Sequence, residues 1–188
     1  MRETEGAESL FVNVNLSAAH FSDDALPQAI QAVLRDAGVP GDALKLEITE
    51  TVLMDNAEVA ASVMRELAER GVRFGLDDFG TGYSSLSYLH RFPFETLKID
   101  RSFIRSLGSE PGKPGELAEA ILLLSRALGL TAVAEGVETV SQLDFLKMRS
   151  CDHVQGFLYS PAVPADDAER LVREQPFVGG APPAAARK

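Results

Sequence analysis

The chain has 188 residues, of which 45% are hydrophobic and 24% charged, the composition of one globular domain with a sizeable core. A formal charge of -10 argues against nucleic acid or an anionic membrane as partner, since both call for basic patches. The lone Cys151 excludes an internal disulfide, and neither a signal-peptide pattern nor a long apolar run is present, so a cytoplasmic location is expected.

The first β-like run is LFVNVNLS (10–17). A helix, ALPQAIQAVLRDAG (25–38), follows and stops on a glycine, as a left-handed C-terminal cap requires. LKLEITE (44–50) reads as a second strand, and NAEVAASVMRELAERG (56–71) as a helix with Ala60, Val63, Met64 and Leu67 in one apolar stripe. VRFGLDD (72–78) and TLKID (96–100) are strands. ELAEAILLLSRALG (116–129) is a helix whose core stripe is expected to be Leu117, Ile121, Leu124 and Leu128. Strands TAVAEG (131–136) and HVQGF (153–157) and helices over 139–149 and 165–174 complete the series. The expected layout is a tail over 1–9, one domain over 10–175 and a disordered Pro/Gly/Ala-rich tail over 176–188.

Strand–helix alternation predicts an α/β fold with a parallel sheet, either open or closed as a TIM-like (β/α) barrel. Side-chain parity separates the two. Val12, Val14 and Leu16 oppose Asn13, Asn15 and Ser17; Leu44, Leu46 and Ile48 oppose Lys45, Glu47 and Thr49. Val72, Phe74 and Leu76 oppose Arg73, Gly75 and Asp77; Leu97 and Ile99 oppose Thr96, Lys98 and Asp100. An open sheet covered by helices on both sides would be apolar on both faces. One apolar and one polar face suit a barrel, with polar side chains gathered at its C-terminal mouth.

By that parity the mouth collects Asn15, Glu47, Asp77, Lys98, Glu135 and Gln155, with Glu50, Asp78, Asp100 and Glu138 just beyond. Two carboxylates about 4 Å apart repel by roughly 4 kcal/mol at an effective dielectric of 20, so such a basin needs cations. Lys98 supplies one. An oxygen-rich remainder suits Mg²⁺ or Mn²⁺ rather than zinc, and paired ions of that kind serve in-line attack on phosphodiesters. Taken alone, Asp77-Asp78 also fits a solvated turn. GLDDFGTG lacks the lysine of a phosphate-binding P-loop. Lys98 fits a salt bridge to Asp100 or Glu135, and Glu50 and Glu138 fit surface acids. His20, His90 and His153 show no ligand spacing, and Cys151 fits a small buried hydrophobe.

The strings NVNLS (13–17), LEITE (46–50), DDFGTGYSSL (77–86), KID (98–100), AEGVET (134–139) and QGF (155–157) resemble, in order and spacing, the EAL domain family. The resemblance implies a modified TIM barrel that hydrolyses cyclic di-GMP to linear pGpG in bacterial second-messenger signalling. It makes Asn15, Glu47 and Asp77 metal ligands and Asp78 the acid of a second metal. Lys98 becomes the contact to attacking water or scissile phosphate, Glu135 and Gln155 further metal- or water-contacting groups, and Asp100 an acid near the centre. Glu50 anchors the loop after Asp78, where Gly80, Thr81 and Gly82 shape substrate binding and a homodimer contact; Glu138 lies at the substrate side. Two ions of Mg²⁺ or Mn²⁺ are implied, together with an upstream sensor or GGDEF-type domain in a longer protein.

No Glu-Ala-Leu tripeptide occurs; the nearest string, Glu119-Ala120-Ile121, lies in a helix. About 250 residues make a full barrel, so roughly six of its strands are expected here, with the N-terminal part, one ligand glutamate and a substrate-binding arginine lacking and two sheet edges open. The alternative to a phosphodiesterase is a module that binds cyclic di-GMP or a protein partner without cleavage. A metal-free glycosidase, resting on two carboxylates, is the third reading.

Overall fold

The structure, a computed structural model, describes residues 10–21, 23, 25–55, 57–81, 89–107 and 114–174. The expected terminal tails and Gly82, with most of the proposed dimer loop, lie outside the described residues. In chain order the elements are β1 (Val12–Leu16), α1 (Ala18–Phe21), α2 (Leu26–Ala37), a 3₁₀ turn (Gly41–Ala43), β2 (Leu44–Thr49), α3 (Glu50–Asp55), α4 (Ala57–Ala68) and β3 (Arg73–Phe79). Then come β4 (Phe94–Ile99), α5 (Arg101–Arg105), α6 (Pro114–Ala127), β5 (Thr131–Glu135), α7 (Val140–Met148), β6 (His153–Gln155) and α8 (Ala165–Glu174). No helix among the described residues is long and apolar enough to cross a membrane.

The six strands form one sheet in the order β1-β2-β3-β4-β5-β6, and every neighbouring pair is parallel. Sequential order and uniform direction make a half-barrel, the barrel-type sheet that strand parity predicts with the six strands that chain length and the resemblance lead one to expect. Leu46, Ile48, Phe74, Leu76, Leu97, Ile99, Ala132 and Ala134 form its outer apolar face, buried beneath Ala60, Met64, Leu67, Ala118, Leu122, Leu143 and Leu146 of the helices. Chain chemistry sets the helix ends. Gly38, at φ 64°, closes α2 through amide bonds from Gly38 to Arg35 and from Val39 to Leu34. Thr139 opens α7 with a reciprocal capping box to Gln142.

Two expectations about the core are corrected. In α6, Leu117 is 58% exposed, whereas Ala118, Ile121, Leu122 and Ser125 are buried. The buried face is turned by one residue because small Ala118 and Ser125 let the helix lie close to the sheet; Leu124 and Leu128 pack at its margin. In β1, Val12 and Val14 remain exposed, and only Leu16 joins the core, because β1 is an edge strand. Short α1, α3 and α5 fall below the length at which helical periodicity is readable.

Candidate active site

Lys98, centred in β4 and nearly buried, is where the polar face converges. Its Nζ lies 2.8 Å from Glu47 Oε2 on β2, 3.0 Å from Asp77 Oδ1 on β3 and 2.6 Å from Glu135 Oε1 on β5. Burial works against the ammonium charge, but hydrogen bonds to Glu135 and Glu47 prevail and raise its pKa well above the ordinary lysine value. Four strands therefore deliver one cation and three carboxylates to a single point, as parity predicts.

Asp78 joins them by a different route. In a regular strand Asp77 and Asp78 would face opposite sides of the sheet. The β3–β4 register slips between Leu76↔Leu97 and Phe79↔Ile99, and Asp78 takes φ 52°, so β3 bulges at the acidic pair. The bulge turns Asp78 back to the mouth, where carboxylate oxygens of Asp77, Asp78 and Glu135 lie within 4.8 Å of one another. The Asp78 amide donates to Asp77 Oδ1 at 3.0 Å, and Thr81 Oγ1 donates to the Asp78 carbonyl at 2.9 Å. Gly80 continues the turn at φ 97°.

Like charge marks the cluster. Burial, with Asp77 and then Asp100 nearby, raises the Asp78 pKa. Burial also raises that of Glu135, with Lys98 opposing. Asp100 differs: burial acts against its charge, but the Ser102 side chain and amide with Arg101 hold its pKa below the ordinary value. Asp100 caps α5, accepting from the Ser102 amide at 2.9 Å.

The remaining expected residues divide. Asn15 stands beside Glu47 in the β1–β2 register, and Gln155 beside Glu135 in the β5–β6 register; both are exposed on outer strands. Glu50 begins α3 directly after β2 and is buried, which overturns the reading as a surface acid. Glu138 is exposed outside the cluster, its amide donating to Gln142 Oε1 at the start of α7. Beneath the mouth lies a layer that parity places on the polar face without assigning it chemistry. Lys45 Nζ donates to Thr96 Oγ1 at 2.7 Å, and both residues are buried. Burial and then the Arg73 charge lower the Lys45 pKa.

The donor set fits a divalent cation. One ammonium faces three carboxylates with Asp78 as a fourth, all ligand atoms are hard oxygens, and Glu47 Oε1 is buried without a hydrogen-bond partner among the described residues. A buried oxygen left without a donor costs free energy that a cation recovers.

A model of the EAL domain family matches residues 1–162. The chain belongs to the EAL domain family. The cyclic di-GMP phosphodiesterase NbdA of Pseudomonas aeruginosa is 42% identical over 178 residues, covering 95% of this chain and 22% of that protein. The signaling protein YkoW of Bacillus subtilis is 41% identical over 167 residues, covering 89% of this chain and 21% of that protein. This EAL chain thus spans about a fifth of the length of these curated relatives. Among solved structures, the EAL domain of Mycobacterium smegmatis DcpA superposes with a TM-score of 0.85 at 35% identity, over 92% of this chain and 77% of that one. The PaMucR phosphodiesterase in complex with c-di-GMP gives 0.82 at 39%, over 87% and 66%.

Proposed function

We propose that this EAL domain hydrolyses cyclic di-GMP to linear pGpG with Mg²⁺ or Mn²⁺. The convergence of Glu47, Asp77 and Glu135 on Lys98, with Asp78 turned in beside them, carries the reading. A chain of charge -10 attracts a dianionic nucleotide only where local charge is reversed, and a filled acidic cup reverses it. Asn15, Glu47, Asp77, Asp78 and Glu135 are the residues that would hold two such ions. The ions supply Lewis acidity and lower the pKa of water that attacks phosphorus in line.

The chain's own groups do the rest. Lys98 keeps its proton and directs an ammonium at oxygens that gain charge during attack. Gln155, beside Glu135, offers an amide to orient water at the cup's rim. Burial, then Asp77 and then Asp100 raise the proton affinity of Asp78, so a cation that binds there competes with a proton. In this reading Glu50, Gly80, Thr81 and Gly82 serve the loop after Asp78, and Glu138 serves the substrate side, as the resemblance implies.

The second reading is a module that binds cyclic di-GMP or a protein partner without cleavage. One experiment separates them: incubation with cyclic di-GMP and Mn²⁺, with chromatography of the nucleotide. Conversion to pGpG that EDTA and Asp77→Ala both abolish, in a variant with unchanged circular dichroism, supports hydrolysis. Bound nucleotide recovered intact supports the module. Full turnover by Asp77→Ala refutes the assigned cup.

A further inference from the structure

Lys45 and Arg73 stand directly opposite each other in the β2–β3 register, and both line the inner wall of the half-barrel. Like charges directly opposite on neighbouring strands are destabilising, and here neither forms an ion pair among the described residues. Lys45 is 8% exposed and Arg73 half-buried. Their cationic groups share one neutral neighbour, the Phe11 ring, 4.6 Å from Lys45 Nζ and 4.4 Å from the Arg73 guanidinium carbon. Lys45 spends one donor on Thr96 and Arg73 spends Nη2 on the Asp42 carbonyl, while Arg73 Nε is buried without a partner. Of the nearby carboxylates, Glu47 is taken by Lys98, and the exposed Glu95 lines the same recess without an ion pair to Lys45 or Arg73 among the described residues.

In a chain this acidic, solubility does not call for two convergent cations that form no ion pair with a carboxylate among the described residues. We propose that Lys45 and Arg73 are the basic half of an oxyanion-binding site on the inner wall, a layer below the acidic cup. Lys45, Arg73 and Thr96 each precede a cup residue on the same strand, Glu47, Asp77 and Lys98, by two to four positions, or roughly 7–13 Å of strand. The recess between holds about 470 Å³, room for a small anion. The ligand class is a phosphate-type or carboxylate group, held by the charge-assisted bonds that a guanidinium and an ammonium offer together. Phe11, 41% exposed, lines the recess beside both cations.

The test is thermal unfolding and calorimetry of the full chain in EDTA, which keeps anions from acting through a metal in the cup. Inorganic phosphate and sodium acetate are each titrated against sodium chloride of equal ionic strength. A saturable rise in Tm beyond the chloride control supports the site; a larger response to phosphate assigns a phosphate-type ligand and a larger response to acetate a carboxylate. Lys45→Gln and Arg73→Gln each weaken the binding roughly ten- to a hundredfold, the loss of one charge-assisted contact. Either variant suffices if the other does not fold. No saturable response in the parent overturns the proposal, as does an undiminished response in a folded variant.

Discussion

Lys98 on β4 and Glu135 on β5 meet at 2.6 Å, and the same ammonium spans to Glu47 and Asp77 on β2 and β3. One buried side chain thus offsets acids from three other strands, so the metal-free barrel depends on it. Removing one partner of a buried ionic group costs about 3–5 kcal/mol, because uncompensated charge stays behind. Lys98→Met should lose that much in urea unfolding with EDTA present, and regain part of it when Mn²⁺ is added. Unchanged stability in EDTA would count against Lys98 as the neutralising group.

The same crowding fixes a pH dependence. Asp78 and Glu135 have folded pKa values raised above their ordinary 3.8 and 4.5, chiefly by burial. The folded state therefore holds protons that the unfolded chain releases. Their contribution is fully present below the ordinary values and is lost as pH climbs through the raised ones. Asp100 runs the other way: its lowered pKa gives stability above 3.8 that is lost on acidification. In EDTA, the Tm of Glu135→Gln should gain on the parent as pH climbs above the ordinary 4.5 and through the raised folded value, since the variant has no proton to lose there. A difference that stays constant as pH climbs above 4.5 would refute the shift for Glu135.

Asp78 combines a charge role with a backbone role, and two substitutions part them. At φ 52° asparagine is tolerated, whereas a β-branched residue is strained by about 1–2 kcal/mol. Asp78→Asn should keep its urea midpoint and bind Mn²⁺ at least tenfold more weakly in calorimetry. Asp78→Val should lose both stability and binding. Equal stability of the two variants would mean that the bulge is not held in the left-handed region.

Strand parity makes most of this site legible. Glu47, Asp77, Lys98 and Glu135 alternate with aliphatic residues, and alternation alone sends them to one side of a sheet. Asp78 is not legible by that rule, since a bulge is a register property set between strands and leaves no period in one of them. The turn of α6 is hidden for a related reason: ELAEAILLLSRALG offers several apolar stripes, and the sheet selects the one through Ala118 and Ser125 that permits close approach. The Lys45–Arg73 opposition needs the β2–β3 register, which no single strand encodes.

Gly156 ties the outer strand to the cup, and its role is one of space. A Cβ at this position would strike the backbone carbonyl and amide of Val137. That contact is flanked by Val137 N–H donating to the Gln155 carbonyl at 3.1 Å and Leu158 N–H donating to the Val137 carbonyl at 3.0 Å. Gly129 is the control: at φ 70° a Cβ added there would meet nothing within 4 Å, so alanine costs about 1 kcal/mol for backbone conformation alone. Gly156→Ala must push backbone from backbone and break one or both flanking bonds, for a loss of about 3 kcal/mol. Because Gln155 pairs with Glu135 in register, the displacement should also reduce metal-dependent turnover, which Gly129→Ala should leave alone. Paired urea titrations and turnover assays on the two variants check this, and a Gly156→Ala midpoint equal to that of Gly129→Ala would refute the close contact.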